Sequence, residues 1–270
     1  MTEGRAPGGP AGPSGGASAR PALGTPCWVS LMARGPTAAQ EFYGELFGWE
    51  FRAGPRQLGP SVRALLDGRE VAGIGRLPAD RHLTVAWTPY LASDRVDATA
   101  EAVRLCGGTV GVGPLDADGA GRLAIGSDPS GAVFGVWEAA AHLGTAVAGV
   151  HGTPAWHELV TYGAAGVATF YETVFGYGRQ AAESADTDHV TLLVDGRPVA
   201  GVRGVGGALP RDRGPHWVTY FEVDDAGEAL ARLVGLGGRV LRPVRDGAYG
   251  RVADVADPEG ARFALIQRSG

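Results

Sequence analysis

Two acidic residues in the second half of the chain are the first candidates for chemistry. Glu158 and Glu222 each lie on a predicted strand, and Arg203 and Arg262 lie on other strands of the same half. A carboxylate isolated among apolar groups has a raised pKa, which suits it to general acid–base catalysis. A carboxylate paired with Arg203 or Arg262 has a structural role instead. The sequence leaves both alternatives open.

Other reactive groups have less support. His157 stands next to Glu158, and strand alternation places its side chain on the face opposite to that of Trp156. Because a helix covers that face, we expect His157 to be a buried, hydrogen-bonded structural residue. Cys27 and Cys106 lack a metal-type spacing, and we expect free thiols, as in a reducing cytoplasm. Nucleophilic catalysis therefore has no visible support.

The strands that position these residues belong to an internal repeat. GTPCWVSLM at 24–32 aligns with GTPAWHELV at 152–160, and FYGELFGW at 42–49 aligns with FYETVFGY at 170–177. The same offset of 128 residues relates DGREVAGI at 67–74 to DGRPVAGV at 195–202. Near the end of each half, DPSGAVFGV at 128–136 matches DPEGARFAL at 257–265. Such self-similarity predicts two homologous domains.

Each half contains the same order of predicted elements twice. A strand over 28–33 leads into a helix that ends at Gly48, followed by a hairpin whose turn is Asp67-Gly68. A second strand over 85–92 and a helix over 96–105 follow, and further strands complete the half. We predict a disordered tail at 1–23, domains at 24–138 and 152–268, and a linker at 139–151.

This order of elements resembles the vicinal oxygen chelate superfamily. The resemblance covers 24–268 and is carried by the FY helix ends, the glycine pair after each second helix and the DP(S/E)G turns before the last strands. It implies an α+β fold of two tandem glyoxalase-like domains, each built from two βαβββ units that form a curled, cup-shaped mixed sheet. Relatives include glyoxalase I, bleomycin-resistance proteins, fosfomycin-resistance enzymes and extradiol dioxygenases. The two-domain form is typical of actinobacterial glyoxalase-like and antibiotic-biosynthesis accessory proteins.

The resemblance also implies where a metal would bind. Enzymes of the superfamily hold a divalent ion inside the cup with His or Glu from the first and last strands of the units. The matching positions here are Trp28, Thr88, Gly73 and Gly135 in domain one, and Trp156, Val218, Gly201 and Ala264 in domain two. None of these side chains offers an imidazole or a carboxylate. We therefore predict no metal and no other cofactor, with a divalent metal on relocated ligands as the alternative.

Strand alternation then predicts which side chains face the two cups. Domain one is expected to present an aromatic and apolar set without formal charge: Trp28, Ser30, Met32, Thr88, Tyr90 and Trp137. Domain two is expected to present a charged set: Trp156, Tyr220, Glu158, Glu222, Arg203 and Arg262. An aromatic lining suits a flat apolar ligand, although these rings could equally fill the cup as core.

Composition limits the partners. The net charge is −5, no basic run exceeds a pair of residues, and no apolar run reaches the length of a membrane span. We expect a small-molecule ligand, neither nucleic acid nor a membrane as partner, a cytoplasmic location, and a monomer or homodimer.

Two functions remain from the sequence. The first is a metal-independent protein that binds an aromatic or apolar metabolite or antibiotic, for sequestration or as an accessory of secondary metabolism. The alternative is a glyoxalase-like enzyme of lyase, isomerase, hydroxylase or dioxygenase type. Such an enzyme would use Glu158 or Glu222 as its base, or a relocated metal.

Overall fold

Two eight-stranded mixed sheets, one from each half of the chain, form the framework of the computed structural model. The structure describes residues 20–55, 59–78, 83–182, 188–209, 213–247 and 249–268. Most of the predicted tail, 1–19, lies outside the described residues. Each half contributes two βαβββ units to its sheet, so the predicted α+β fold of tandem cup-shaped domains is confirmed.

The ten elements of the first half follow the predicted order. They are β1 (Pro26–Ala33), α1 (Pro36–Phe47), β2 (Glu50–Ala53), β3 (Ser61–Leu66), β4 (Arg69–Arg76), β5 (Ala86–Ala92), α2 (Val96–Leu105), β6 (Thr109–Asp116), β7 (Gly121–Ser127) and β8 (Val133–Ala139). The helix α1 ends where Gly48 adopts a left-handed conformation with φ 72°. Asp67 and Gly68 both have positive φ, as the predicted tight hairpin turn requires.

The second half repeats this order. Its elements are β9 (Pro154–Thr161), α3 (Ala164–Phe175), β10 (Gly178–Ala181), β11 (His189–Val194), β12 (Arg197–Gly204), β13 (His216–Glu222), α4 (Ala226–Gly235), β14 (Arg239–Gly247), β15 (Gly250–Ala256) and β16 (Arg262–Gln267). A short 3₁₀ turn at Gly206–Ala208 follows β12. Within the described residues, no helix is long and apolar enough to cross a membrane.

The first strands of the two units lie side by side at the centre of each sheet. In the first sheet the order is β2-β3-β4-β1-β5-β8-β7-β6, with β1 antiparallel to β5 and parallel to β4. The second sheet has the same arrangement around β9 and β13. Side chains alternate along these strands, so one face of each sheet packs against helices and the other lines the cup.

The hydrophobic cores are shared between the two domains. One core joins Phe47 and Trp87 of domain one to Phe221 and Phe263 of domain two. A second core joins the second unit of domain one, including Phe134, to α3 and its neighbouring strands. Each core therefore contains one unit from each half, and neither domain buries its helix-covered face alone.

Two tyrosines explain why the FY motif occurs twice. The Tyr43 hydroxyl donates a hydrogen bond to Asp257 Oδ2 of the other domain at 3.0 Å, and Trp87 Nε1 donates to Tyr43 Oη at 3.0 Å. The second copy mirrors the first: Tyr171 donates to Asp128 Oδ2 at 3.2 Å and accepts from Trp217 at 3.1 Å. The other oxygens of both aspartates accept backbone N–H groups of their own turns. Each FY tyrosine thus fixes the DP turn of the other domain.

The segment after β8 lies against domain one. Thr145 donates its backbone N–H to the carbonyl of Cys27, and Ala146 donates to that of Glu70, both at 2.8 Å. His142 is turned towards the cup, and the Trp137 indole donates to its carbonyl at 2.9 Å. The segment predicted as a linker therefore contributes to the wall of the first cup.

Removing one shared hydroxyl should weaken the whole molecule. In Tyr171→Phe, Asp128 and Trp217 lose a buried partner, and we expect the free energy of unfolding to fall by roughly 1–3 kcal/mol. Because the cores are shared, urea unfolding should remain a single transition at a lower midpoint. The matched control is Tyr162→Phe, at an exposed tyrosine that directly follows β9. An unchanged midpoint in Tyr171→Phe would contradict the assigned role.

His157 should make stability fall in acid. Its ring is buried, with Nδ1 3.3 Å from the Thr219 hydroxyl, and burial lowers the pKa of His157 from 6.5 to about 4. In the unfolded chain, His157 becomes protonated as the pH falls through about 6.5. In the folded protein, it becomes protonated only near pH 4. The free energy of unfolding should therefore be unaffected by His157 above pH 6.5 and should fall by up to about 3 kcal/mol as the pH falls to 4.

Urea unfolding at several pH values tests this. His157→Gln should show a smaller decline, with the remainder arising from other groups such as His142. The same slope in wild type and variant would contradict the role of His157.

Candidate functional site

The cup of domain one is an open cavity walled mainly by apolar and aromatic side chains. Trp28, Ser30 and Met32 line it from β1, Tyr90 from β5 and Trp137 from β8. Its empty volume is about 740 Å³, including space open to solvent. Ser30 Oγ donates to Tyr90 Oη at 3.1 Å, so these two hydroxyls already satisfy one another. The strand alternation in the sequence predicted this aromatic lining.

Aromatic rings occupy the space beside the metal positions implied by the superfamily. The Trp28 indole lies over Gly73, where an added Cβ would stand 3.4 Å from its Nε1 atom. The Tyr90 ring covers Gly135 so closely that an added Cβ would stand 2.2 Å from it. Within the described residues, no three His, Cys, Asp or Glu side chains are grouped so that they could hold a metal. The residues at these positions therefore do not fit a family-type metal.

The first cup nevertheless carries charge, so the prediction of an uncharged lining is wrong. Arg63 on β3 and His142 line the cavity, and Glu70 on β4 binds both. Arg52 also donates to Glu70, at 2.6 Å. Sequence reasoning missed these groups because it assigned inward faces only to the strands that carry metal ligands, and it placed His142 outside the domain.

His142 is held between the two tryptophans of the cup. Its ring meets that of Trp28 edge to face at a centroid distance of 4.5 Å and that of Trp137 at 5.6 Å. His142 Nδ1 lies 2.9 Å from Glu70 Oε2. Burial, followed by the charge of Arg63, lowers the pKa of His142 to about 4, although Glu70 opposes the shift. At neutral pH the imidazole is uncharged.

The cup of domain two is wider and polar. It has an empty volume of about 1760 Å³ including open space, and its rim carries Arg242 and Arg245, which both pair with Asp254. Trp156 lies within the cup, and the exposed ring of Tyr249 packs against it at a centroid distance of 5.4 Å.

Glu158 sits at the centre of a hydrogen-bonded cluster in the second cup. Its Oε2 atom accepts from Arg203 Nε at 2.7 Å and from Tyr220 Oη at 3.1 Å, while His189 Nε2 lies 3.6 Å from Oε1. Burial alone would raise the pKa of Glu158, but the hydrogen bonds and the charge of Arg203 outweigh it and lower the pKa. The structure thus forms the Glu158–Arg203 ion pair that the sequence had offered as the structural alternative.

Three of the predicted cup residues lie outside the cavity walls. Glu222 has its Oε2 atom 3.6 Å from Arg268 Nε, a partner that the sequence did not suggest. Arg262 begins β16, where it pairs across the sheet with Ala256. Thr88 lies beside Ser30 on the adjacent strand. Alternation gives the face of a strand correctly but does not tell how far along the strand the cavity extends.

Three residue differences at equivalent positions make the second cup more polar than the first. Using the offset of the repeat, Ser30 corresponds to Glu158, Gly75 to Arg203 and Ser61 to His189. Tyr90 and Tyr220 are also equivalent. The Tyr90 hydroxyl accepts a hydrogen bond from Ser30, and the Tyr220 hydroxyl donates one to Glu158. The scaffold is the same in both domains, and these three differences place a buried ion pair at the centre of the second cup.

Comparisons with known proteins agree with this geometry. The sequence profile of a glyoxalase-like domain matches residues 155–266. The protein named "Putative glyoxylase CFP32" of Mycobacterium bovis is 36% identical over 252 residues, covering 90% of this chain and 95% of that protein. The chain belongs to the vicinal oxygen chelate superfamily. The resemblance seen in the sequence is therefore confirmed.

The chain is also similar to an anthracycline biosynthesis protein and, in its fold, to a dioxygenase. The anthracycline biosynthesis protein DnrV of Streptomyces peucetius is 35% identical over 263 residues, covering 91% of this chain and 94% of that protein. The solved 2,3-dioxygenase LapB from Pseudomonas sp. KL28 superposes with a TM-score of 0.63 at 16% identity, covering 92% and 94% of the two chains. At that identity the dioxygenase shows the shared fold alone.

Removing Arg203 should expose the cost of burying Glu158. In Arg203→Met the buried carboxylate loses its cation, so its pKa should rise, and stability at pH 7 should fall by roughly 2–4 kcal/mol. In the wild type the lowered pKa contributes stability that is present above the ordinary value of 4.5 and lost as the pH falls through the folded value. The difference between the two proteins should therefore begin to shrink as the pH falls through the raised pKa of Glu158 in the variant, and it should shrink further below pH 4.5.

The double variant Arg203→Met/Glu158→Gln is the matched control. It removes the uncompensated charge and should recover much of the loss. Urea unfolding of the three proteins between pH 4 and 8 measures this, and an Arg203→Met protein as stable as the wild type at pH 7 would disprove the coupling.

Proposed function

We propose that this protein binds a planar, largely apolar aromatic molecule in the cup of domain one, without a metal ion, as an accessory of secondary metabolism. One observation carries the proposal: Trp28, Tyr90 and Trp137 line an open cavity at the place where enzymes of the superfamily hold their metal. We infer both the metal independence and the class of ligand from that lining.

The shape and chemistry of the cup support an aromatic ligand. Ring faces and edges attract other rings, and a cavity of several hundred Å³ suits a small molecule. Met32 adds a flexible, polarisable wall that packs against Gly75. A ligand with several fused rings could contact both tryptophans, one on β1 and one on β8.

Metal independence rests on the donor set. A divalent metal in this fold needs imidazoles or carboxylates at the strand positions taken here by Trp28, Thr88, Gly73 and Gly135. Tyr90 fills the space beside Gly135, so a longer donor side chain could not be accommodated there without moving the ring. Binding through ring stacking needs no ion.

The name of one relative fits an accessory role. DnrV is named as a protein of anthracycline biosynthesis. A related protein with an aromatic cup would suit the binding of a polycyclic intermediate or product. We extend that role to this chain as a proposal.

An enzyme remains the second candidate, because a relative of similar length is named as a glyoxylase. A base at Glu158 would have to compete with its own hydrogen bonds from Arg203 and Tyr220. Its lowered pKa makes it a weak base. The contacts of Glu158 therefore favour binding over proton transfer.

Quenching of tryptophan fluorescence by a panel of planar aromatic compounds, after dialysis against a chelator, tests the proposal. We expect saturable binding at micromolar concentration, with Trp28→Ala weakening it about tenfold or more because a stacked ring is lost. Tyr162→Ala, at an exposed site, is the control variant. The absence of quenching across the panel, or a loss of binding in Trp156→Ala but not in Trp28→Ala, would overturn it.

A further inference from the structure

We propose that His142 Nε2 forms a hydrogen bond with a hydroxyl group of the aromatic ligand, so that the first cup selects phenol-type molecules over their unhydroxylated counterparts. This inference rests on the proposed function and adds a substrate class to it. It arises from a polar group in the cup wall that nothing else in the structure uses.

Two charged groups engage His142 Nδ1. Glu70 Oε2 lies 2.9 Å from Nδ1, and Arg63 Nη1 lies 3.2 Å from it. The carboxylate only accepts and the guanidinium only donates, so Nδ1 has a partner in either tautomer of the neutral ring. The other nitrogen, Nε2, is then left as an acceptor or as an N–H donor, and a ligand hydroxyl can pair with both because it donates as well as accepts.

His142 Nε2 is buried and has no hydrogen-bond partner among the described residues. Only 9% of the His142 side chain is exposed, yet the residue lines the cavity. A buried polar nitrogen without a partner costs free energy, and a ligand hydroxyl would remove that cost. The neighbouring hydroxyls are already engaged, since Ser30 bonds Tyr90 and Ser61 donates to the Pro55 carbonyl.

The position of His142 is fixed on three sides. The Trp137 indole holds its backbone carbonyl, the Trp28 ring packs against its imidazole, and Glu70 holds Nδ1. A polar nitrogen fixed in this way discriminates well, because an analogue that lacks the hydroxyl leaves it unpaired.

The arrangement occurs in domain one alone among the two described cups. By the offset of the repeat, Glu70 corresponds to Pro198 and Arg63 to Thr191, which cannot form the same ion pair. His142 itself comes from the segment between the domains, which has no counterpart after β16 within the described residues. The selection for a hydroxyl should therefore belong to the first cup.

A matched pair of probes tests the inference: 2-hydroxyanthraquinone and 2-methylanthraquinone, which have nearly the same shape. Titrations at pH 6 by tryptophan quenching should show that wild-type protein prefers the hydroxyl compound by about tenfold, the size of one good hydrogen bond. His142→Phe should lose the preference while it still binds the methyl compound. His142→Gln places an amide oxygen near the Nε2 position and should keep part of the preference. His151→Gln, outside the cup, should keep all of it.

The ¹⁵N chemical shifts of His142 in the wild-type protein give a second readout, which needs no substitution. They should report which ring nitrogen carries the hydrogen in the free protein, and the Nε2 signal should shift when the hydroxyl compound binds. Equal affinity of the wild type for both probes, or an unmoved Nε2 signal at saturation, would overturn the inference and leave the proposed function intact. If neither probe bound, the proposed function itself would fail.

Discussion

Two buried tyrosine–aspartate hydrogen bonds between the domains hold the rest of the structure in place. Tyr43 reaches Asp257, and Tyr171 reaches Asp128, each with a tryptophan donating to the same hydroxyl. These contacts fix the helices of one half against the strands of the other, and the cores on either side are shared. Because the helix-covered faces of both sheets are buried in these shared cores, the opposite faces form the cups.

A shared scaffold then allows the two cups to diverge. The strand positions, the covering tyrosines Tyr90 and Tyr220 and the indoles Trp28 and Trp156 are common to both domains. Ion pairing around Glu158 fills one cup with polar contacts. In the other, the charged side chains of Glu70 and Arg63 and the neutral His142 lie at one side, and the remaining wall is free for rings. The division of roles follows from which strands carry charge, not from a change of fold.

The repeat, the glycine-terminated helices and the Asp-Gly hairpins could be predicted from the sequence, since each depends on local pattern or on internal alignment. The superfamily was predicted from the resemblance of its motifs to those of a known family. Alternation also placed Trp28, Tyr90, Trp137 and Trp156 in the cups. It failed for Glu222 and Arg262, which share the correct face but lie beyond the cavity. It could not find the Glu70–His142 contact, because that contact depends on the path of the segment after β8 and on a register that only the folded sheet defines.

The central claim is that rings, and not a metal ion, form the binding centre of the first cup. Elemental analysis of the purified protein by plasma mass spectrometry, after growth with added iron, manganese and zinc, tests it most directly. We predict metal far below one ion per chain in a protein that still binds its aromatic ligand. One ion per chain, retained through purification and required for that binding, would contradict the account.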